Sequence, residues 1–244
     1  MSTFVLVPGY WLGGWAWDEV ARALRADGHA VHAVTLTGLA ERAAEGGPQV
    51  DLERHVADLT GLLADADLRE VVLVGHSGAG APVTGAADRV PERIRRVVYL
   101  DSGPVPDGLA PIEQNPPELR AVIEAAVRDG WRYPMPSWPE LAERGASLAG
   151  LEPEVLAAVA ARATDHPFGA LRQPLRLSGA GARLPKALVT CSFPLDRVRA
   201  LIGAGHPWFA GMADPAWQLV ELPTGHWPMF SRPADTARVL ADLA

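Results

Sequence analysis

Three residue types that can act together on a carbonyl group lie at the expected ends of strands in this chain: a serine, a histidine and an aspartate. Ser77 falls in VVLVGHSGAG, Val71 to Gly80, where apolar β-formers run into Gly75, His76, Ser77, Gly78, Ala79 and Gly80. G-x-S-x-G after a strand is the pattern of a nucleophile elbow, a turn so tight that the serine's neighbours must be small and its hydroxyl is left exposed. Here the fifth position is Ala79, one methyl larger. The alternative for such a serine is to cap the helix that follows. A neutral hydroxyl is a poor nucleophile and needs a base. Of the seven histidines, His226 lies in ELPTGHWPMFSRP, shortly after the last expected strand, and so has the place and order the elbow requires. A solvated loop histidine is the other reading. His76 is expected to pack or hydrogen-bond locally, and His166 and His206, each followed by proline, to lie in loops.

Acyl transfer also needs hydrogen-bond donors for the oxyanion. The N–H after the nucleophile belongs to Gly78. The second is expected from the loop PGYWLGGWAW after the first strand, with Tyr10 supplying it and Pro8 and Gly9 letting the backbone approach. Trp11, Trp15 and Trp17 in that loop are expected mainly to pack. Apolar walls for a substrate are expected from Trp11, Trp131, Trp138 and Trp227, with Tyr133, Trp208 and Phe209 as further candidates; each could equally be ordinary packing.

The elements that must position these residues follow from hydrophobic pattern. Phe4–Val7, His29–Leu36, Val71–Val74 and Val97–Leu100 read as strands. Between them, Asp18–Asp27 and Asp51–Asp65 read as helices, Glu41–Gln49 as a Gly-rich loop, and a further helix is expected over Gly78–Asp88. Alternating strands and helices imply a parallel sheet covered on both faces, with active sites at the carboxyl ends of its strands. Gly9, Ser77 and Asp101 all follow strands at that end. Residues 102–184 change character. They are rich in proline, show helix-like pieces at Pro117–Asp129, Pro139–Ser147 and Pro153–Thr164, and offer no clear strand. Alternation resumes with strand Lys186–Cys191, helix Pro194–Gly203, strand Trp217–Leu222 and helix Asp235–Leu243. The fold expected is α/β: residues 1–101 and 185–244 as the core, 102–184 as a helical cap.

Composition narrows the function classes. The chain has 244 residues, 48% of them hydrophobic, enough for a large buried core. With a net charge of −7 and no run of Lys or Arg, neither nucleic acid nor an anionic membrane surface is an expected partner. A single cysteine, Cys191, excludes an internal disulfide framework and a cysteine-based zinc site. No apolar run reaches membrane-spanning length, and no signal-peptide pattern precedes Phe4, so a cytoplasmic protein is expected. A homodimer is left open.

On four stretches the chain resembles the α/β-hydrolases, and within them the group of hydroxynitrile lyases, methyl-salicylate-type esterases and their bacterial esterase-like relatives. LVPGYWLGGWAW is similar to the family's first-strand loop, GHSGAG to its elbow, VVYLDSGPVPDG to the strand leading into its cap, and ELPTGHWPMFSRP to its histidine loop. The resemblance implies Ser77 as nucleophile, His226 as base, and the N–H groups of Tyr10 and Gly78 as the oxyanion hole. It departs from the pattern at Pro8, where the family has histidine, at Ala79, and at the acid. The family's aspartate after KALVTC would fall on Pro194, and Asp196 stands two residues later. Asp196 could simply complement the dipole of a helix start. Asp101, ending the preceding strand, is the preferred acid; it could also bind backbone N–H groups of its own loop.

The expected activity is a serine hydrolase that cleaves a small, largely apolar ester or lactone through an acyl-enzyme, with no metal or organic cofactor. Two other classes stay open. One is a lyase or isomerase using the same residues as acid and base; Gly9 stands where hydroxynitrile lyases carry threonine. The other is a small-ligand binder with an incomplete triad.

Overall fold

The computed structural model describes residues 1–244. In chain order its elements are β1 Thr3–Val7, α1 Asp18–Ala26, β2 Ala30–Ala33, α2 Leu52–Asp65, β3 Val71–His76, α3 Gly80–Arg89, β4 Ile94–Leu100, α4 Pro117–Ala125, β5 Arg132–Tyr133, α5 Trp138–Glu143, α6 Pro153–Arg162, β6 His166–Pro167, α7 Gly169–Arg172, β7 Lys186–Thr190, α8 Leu195–Gly203, β8 Trp217–Glu221, α9 Pro228–Ser231 and α10 Pro233–Asp242. Six strands form one parallel sheet in the order β2-β1-β3-β4-β7-β8. β2 and β3 flank β1 on opposite sides, so the sheet reverses its winding there, and the loops after β1 and β3 open into the same crevice.

Both faces of the sheet are buried, which is why its strands read as apolar runs rather than alternating ones. Phe4, Leu6, Val72, Val74, Val98, Leu100, Ala187 and Val189 point to one face, where Val20, Leu24, Ala237 and Leu240 of α1 and α10 cover them. Val5, Val7, Leu73, Val97, Tyr99 and Leu188 point to the other, against Leu59, Leu63, Val83 and Val198 of α2, α3 and α8. Helix starts follow local rules. Asp51 caps α2 by accepting a hydrogen bond from the Arg54 N–H at 2.9 Å, and Ser137 and Glu140 form a capping box at α5.

Residues 102–184 have no core of their own. Ile112, Ile123, Tyr133, Leu141, Val159, Phe168 and Leu171 join the same apolar cluster as β1 and α1. The expectation of no strand there is corrected: β5 and β6 form a two-residue antiparallel ladder, Arg132 with Pro167 and Tyr133 with His166. Such a ladder is too short for periodicity to betray it. Likewise the expected Gly-rich loop 41–49 holds a 3-10 helix over Ala40–Glu45.

The turn from β3 into α3 is packed to its limit. Ser77–Ala79 form a single 3-10 turn between the strand and the helix. A methyl group on Gly75 would lie 2.7 Å from Val83 Cγ2 and 3.1 Å from the Ala79 carbonyl oxygen, while the methyl that Ala79 carries is already buried without conflict. Gly75→Ala is therefore expected to destabilise the protein by about 1–3 kcal/mol through overpacking. Urea unfolding measures this, and Val83→Ala in the same chain should recover part of the loss.

Candidate active site

The sheet register brings the site together. His76 pairs with Leu100, and Leu100 with Val189, so β3, β4 and β7 end at one level. Ser77 and Asp101 are the residues after two of those strands. Both have left-handed backbone, with φ of 51° and 45°, as does Trp11 after β1 at 67°. This region disfavours residues that carry a Cβ, and strain of this kind gathers at functional sites. The Ser77 hydroxyl meets His226 Nε2, and the helix that follows has no side-chain cap, so the capping alternative is not what this hydroxyl does. Ser102 Oγ donates instead to the Ser77 carbonyl at 2.5 Å, which ties the loop after β4 to the turn.

A line of hydrogen bonds crosses the strand ends. Ser77 Oγ lies 2.8 Å from His226 Nε2, and His226 Nδ1 lies 2.5 Å from Asp101 Oδ2. A carboxylate can only accept, so Nδ1 carries the imidazole proton and Nε2 is left to accept from the serine hydroxyl. Asp101 is fully desolvated at its side chain. Burial alone would push its carboxyl up. The hydrogen bond and charge of His226, with those from Ser192, outweigh burial and hold it below the usual carboxylate range. Its second oxygen accepts the N–H groups of Cys191 at 2.8 Å and Ser192 at 3.0 Å, and Ser192 Oγ donates to Oδ2 at 2.6 Å.

The backbone of His226 is held as firmly as its ring. Its N–H donates to the Ser147 carbonyl at 2.8 Å. Its carbonyl accepts from His76 Nε2 at 2.7 Å. Burial, and then the nearby His226, push the His76 pKa down to about 3, so His76 is a neutral ring whose Nε2–H serves as a fixed donor. The local hydrogen bond expected of His76 is corrected: the bond reaches across 150 positions of sequence, because the histidine loop folds back over the end of β3.

Above this line lies a cavity of about 410 Å3 lined by Tyr10, Ser77, Gly78, Asp101 and His226. The Tyr10 ring lies so close over Gly78 that any Cβ there would collide with it. Gly78 stands in the first turn of its helix, where N–H groups lack an intrahelical acceptor. The far walls are Gln114, Asn115, Phe193, His206, Trp208, Phe209 and Met212. Five of these seven come from the stretch after β7, while Ser102, Gly103, Pro104 and Pro111 join Gln114 and Asn115 from residues 102–184. A smaller cavity of about 110 Å3 lies on the other side of Ser77 and His226, walled by Trp11, Leu141, Ala146 and Trp227.

Two expected wall residues lie elsewhere. Trp131 covers Gly46, with the Arg132 guanidinium carbon 5.9 Å from its ring centroid. Trp138 donates from Nε1 to the Leu156 carbonyl at 2.9 Å and meets Trp227 edge-on at 5.1 Å. It supports a wall and does not form one. Both belong to packing in 102–184, where hydrophobicity alone did not say which way an indole faces. His166, expected in a loop, is buried in β6, and its Nδ1 accepts the Trp11 N–H at 3.4 Å. Asp196 is 91% exposed at its side chain and pairs with Arg199 in the first turn of α8. Ser192, Ser102, Gln114, Asn115 and Met212 were not anticipated. Position after a strand could have pointed to Ser192 and Ser102; nothing local marks the other three.

The chain belongs to the alpha/beta hydrolase family, whose model matches residues 4–239. It is a hydrolase, and esterases stand among its relatives. A carbendazim hydrolyzing esterase from a Nocardioides species is 35% identical over 262 aligned positions that cover all of both chains. Among solved structures, an extracellular alpha/beta-hydrolase from a Paenibacillus species superposes with a TM-score of 0.83 at 24% identity, covering 99% of this chain and 98% of that one. A pyrethroid hydrolase from Sphingobium faniae gives 0.74 at 23% identity, covering 99% and 96%. No helix is long and apolar enough to cross a membrane.

The lowered pKa of Asp101 has a signature in stability. A carboxyl held below its unfolded value contributes stability above the ordinary carboxylate pKa of about 3.9, and loses it as pH falls through the folded value. The melting temperature of the native protein should therefore exceed that of Asp101→Asn near neutral pH, and the gap should close between about pH 5 and the folded pKa. A gap independent of pH over that acidic range would contradict the assignment.

Proposed function

We propose that the protein is a serine hydrolase that cleaves a small, largely apolar carboxylic ester through an acyl-enzyme, with Ser77, His226 and Asp101 as its catalytic triad. The observation that carries the reading is the unbroken hydrogen-bonded line from Asp101 Oδ2 through His226 to Ser77 Oγ. Esterase relatives, one of them alignable over the whole chain, support the same class. The binder alternative needs a missing acid, and the bond between Asp101 and His226 supports a complete triad instead. The esterase relatives do not favour the lyase alternative.

In this mechanism His226 Nε2 takes the Ser77 proton as Oγ attacks the carbonyl carbon. The oxyanion forms beside the N–H groups of Tyr10 and Gly78, which stabilise it more than the neutral carbonyl. His226 returns the proton to the leaving alkoxide and releases the alcohol. Water, deprotonated by the same nitrogen, then attacks the acyl-enzyme, and the acid leaves as Ser77 recovers its proton. Asp101 stabilises the imidazolium that forms twice in each cycle and holds the ring in the productive tautomer. His76 and Ser147 fix the histidine's backbone, and Ser192 fixes the carboxylate. Residues 102–184 act as the cap: their backbone grips both Trp11, next to the oxyanion donor, and His226. Trp11 and Trp227 supply an apolar surface behind the reacting atoms, where a small substrate group fits.

Ser77→Ala and His226→Ala should each lower kcat for a short p-nitrophenyl ester by roughly 10⁴-fold or more, and the double variant should be little worse than either, because the two act as a unit. Strictly additive losses would argue against a shared step. A fluorophosphonate should label Ser77, located by mass spectrometry, and the label should be lost in Ser77→Ala. Asp101→Asn should cost about 10⁴ in kcat, while Asp196→Asn leaves turnover near that of the native protein. The opposite ranking would move the acid to Asp196.

A further inference from the structure

The cavity beside Ser77 has a neighbour. A second cavity of about 300 Å3 lies against Val97 and Tyr99 on the α3 and α8 face of the sheet, and it shares Pro104, Trp208 and Met212 with the first. Trp208 belongs to the segment between α8 and β8 but packs with the apolar group that contains Val105 and Leu177. Its indole thus closes the seam between that segment and the chain that follows β4. One side of this threshold faces the reacting serine, and the other faces a chamber to which the mechanism assigns no role.

The chemistry of the second chamber defines its occupant. Thr84 Oγ1 donates to the Gly80 carbonyl at 2.6 Å and meets the Tyr99 hydroxyl at 2.9 Å. The Asp88 carboxylate accepts from Ser178 N at 2.6 Å, Ser178 Oγ at 2.9 Å and Gly181 N at 3.1 Å. Lys186 Nζ donates to the carbonyls of Gly181, Ala182 and Leu184. These polar side chains are engaged within the protein. The remaining lining includes Ala87, Val97, Val105, Leu177, Met212 and Trp217. A cavity of this kind gains by covering hydrocarbon and offers a charged or hydrogen-bonding ligand little.

We infer that the second cavity is the distal subsite of the catalytic one, receiving the far end of a long apolar acyl chain, with Trp208 and Met212 as the threshold between them. The inference rests on the reading of Ser77 as nucleophile and extends it from a small ester to a series of esters. The acyl carbonyl sits at Ser77. The first carbons of the chain fill the cavity under Phe209 and Trp208, and carbons beyond them pass the threshold over Val97. Met212 suits a threshold, because an unbranched thioether repacks readily.

Acyl chain length is the variable that reads this. The full chain is assayed against p-nitrophenyl esters from butanoate to dodecanoate, and the ratio of kcat/KM for decanoate over butanoate is compared among variants. Each methylene taken out of water favours binding by about fourfold, so the tail's contribution is large enough to measure. Ala87→Phe and Ala182→Phe each place a ring in the second chamber and should lower the ratio by at least about tenfold. Trp208→Ala opens the threshold and should raise the ratio and move the best substrate to a longer chain. Ala87 is buried in α3 whereas Ala182 is exposed in a loop, so the second variant decides if the first does not fold. An unchanged ratio in a folded filling variant, judged by its melting temperature, overturns the inference and leaves the Ser77 reading intact. Failure of every ester, with no phosphonate label on Ser77, overturns that reading and the subsite with it.

Discussion

A carboxylate with none of its side chain in solvent must find hydrogen bonds inside the protein or give up its charge. Asp101 finds four, from the N–H groups of Cys191 and Ser192, the Ser192 hydroxyl and the His226 ring. Three of the four come from the chain just after β7, so they bind two neighbouring strand ends together at the level the sheet register sets. The fourth brings in a loop more than a hundred residues away. With the carboxylate so held, the imidazole has one tautomer and one orientation, and its free nitrogen can face only Ser77. Without the buried charge, the histidine loop would still reach the sheet, but nothing would choose between its ring positions.

The same strand ends carry the backbone strain. Trp11, Ser77 and Asp101 adopt left-handed conformations that a residue with a Cβ rarely takes. Each follows a strand of the central sheet, and each is held by hydrogen bonds from elsewhere in the chain. Trp11 is gripped through its N–H by His166, through its indole by the Tyr133 carbonyl, and through its own carbonyl by the Thr164 N–H. Residues 102–184 therefore bind this strained residue directly. They hold the two loops, after β1 and β8, whose positions matter to an accuracy finer than a bond length. Because their apolar side chains join the core cluster of β1 and α1, this grip depends on the packing of the whole upper face of the sheet.

The walls of the cavity follow a different logic. Phe193, His206, Trp208, Phe209 and Met212 all lie between β7 and β8, in a stretch of turns with one helix and a short 3-10 segment. Their side chains meet the cavity through tertiary path rather than through any repeat in sequence. The aromatic residues of 102–184, which composition makes equally suited to walls, face largely inward. Trp131 and Trp138 are spent on packing, and Trp138 reaches the site only through Trp227.

The amino-acid sequence by itself determined the parallel sheet and pointed to Ser77 and His226, which the structure brings within hydrogen-bond distance. Apolar strand runs, small residues around Ser77 and the positions of Asp101 and His226 just beyond strands are local properties, each set by chemistry within a few residues. It did not determine the choice between Asp101 and Asp196 beyond a preference. Both follow strands, and the difference lies in which of them the β4–β7 register buries against His226. Nor could it orient the tryptophans, reveal the two-residue β5–β6 ladder, or show that His76 and Ser147 clamp the backbone of His226. Those are contacts between segments far apart in the chain, selected by how the sheet, α10 and residues 102–184 pack against one another, and no window of sequence contains both partners.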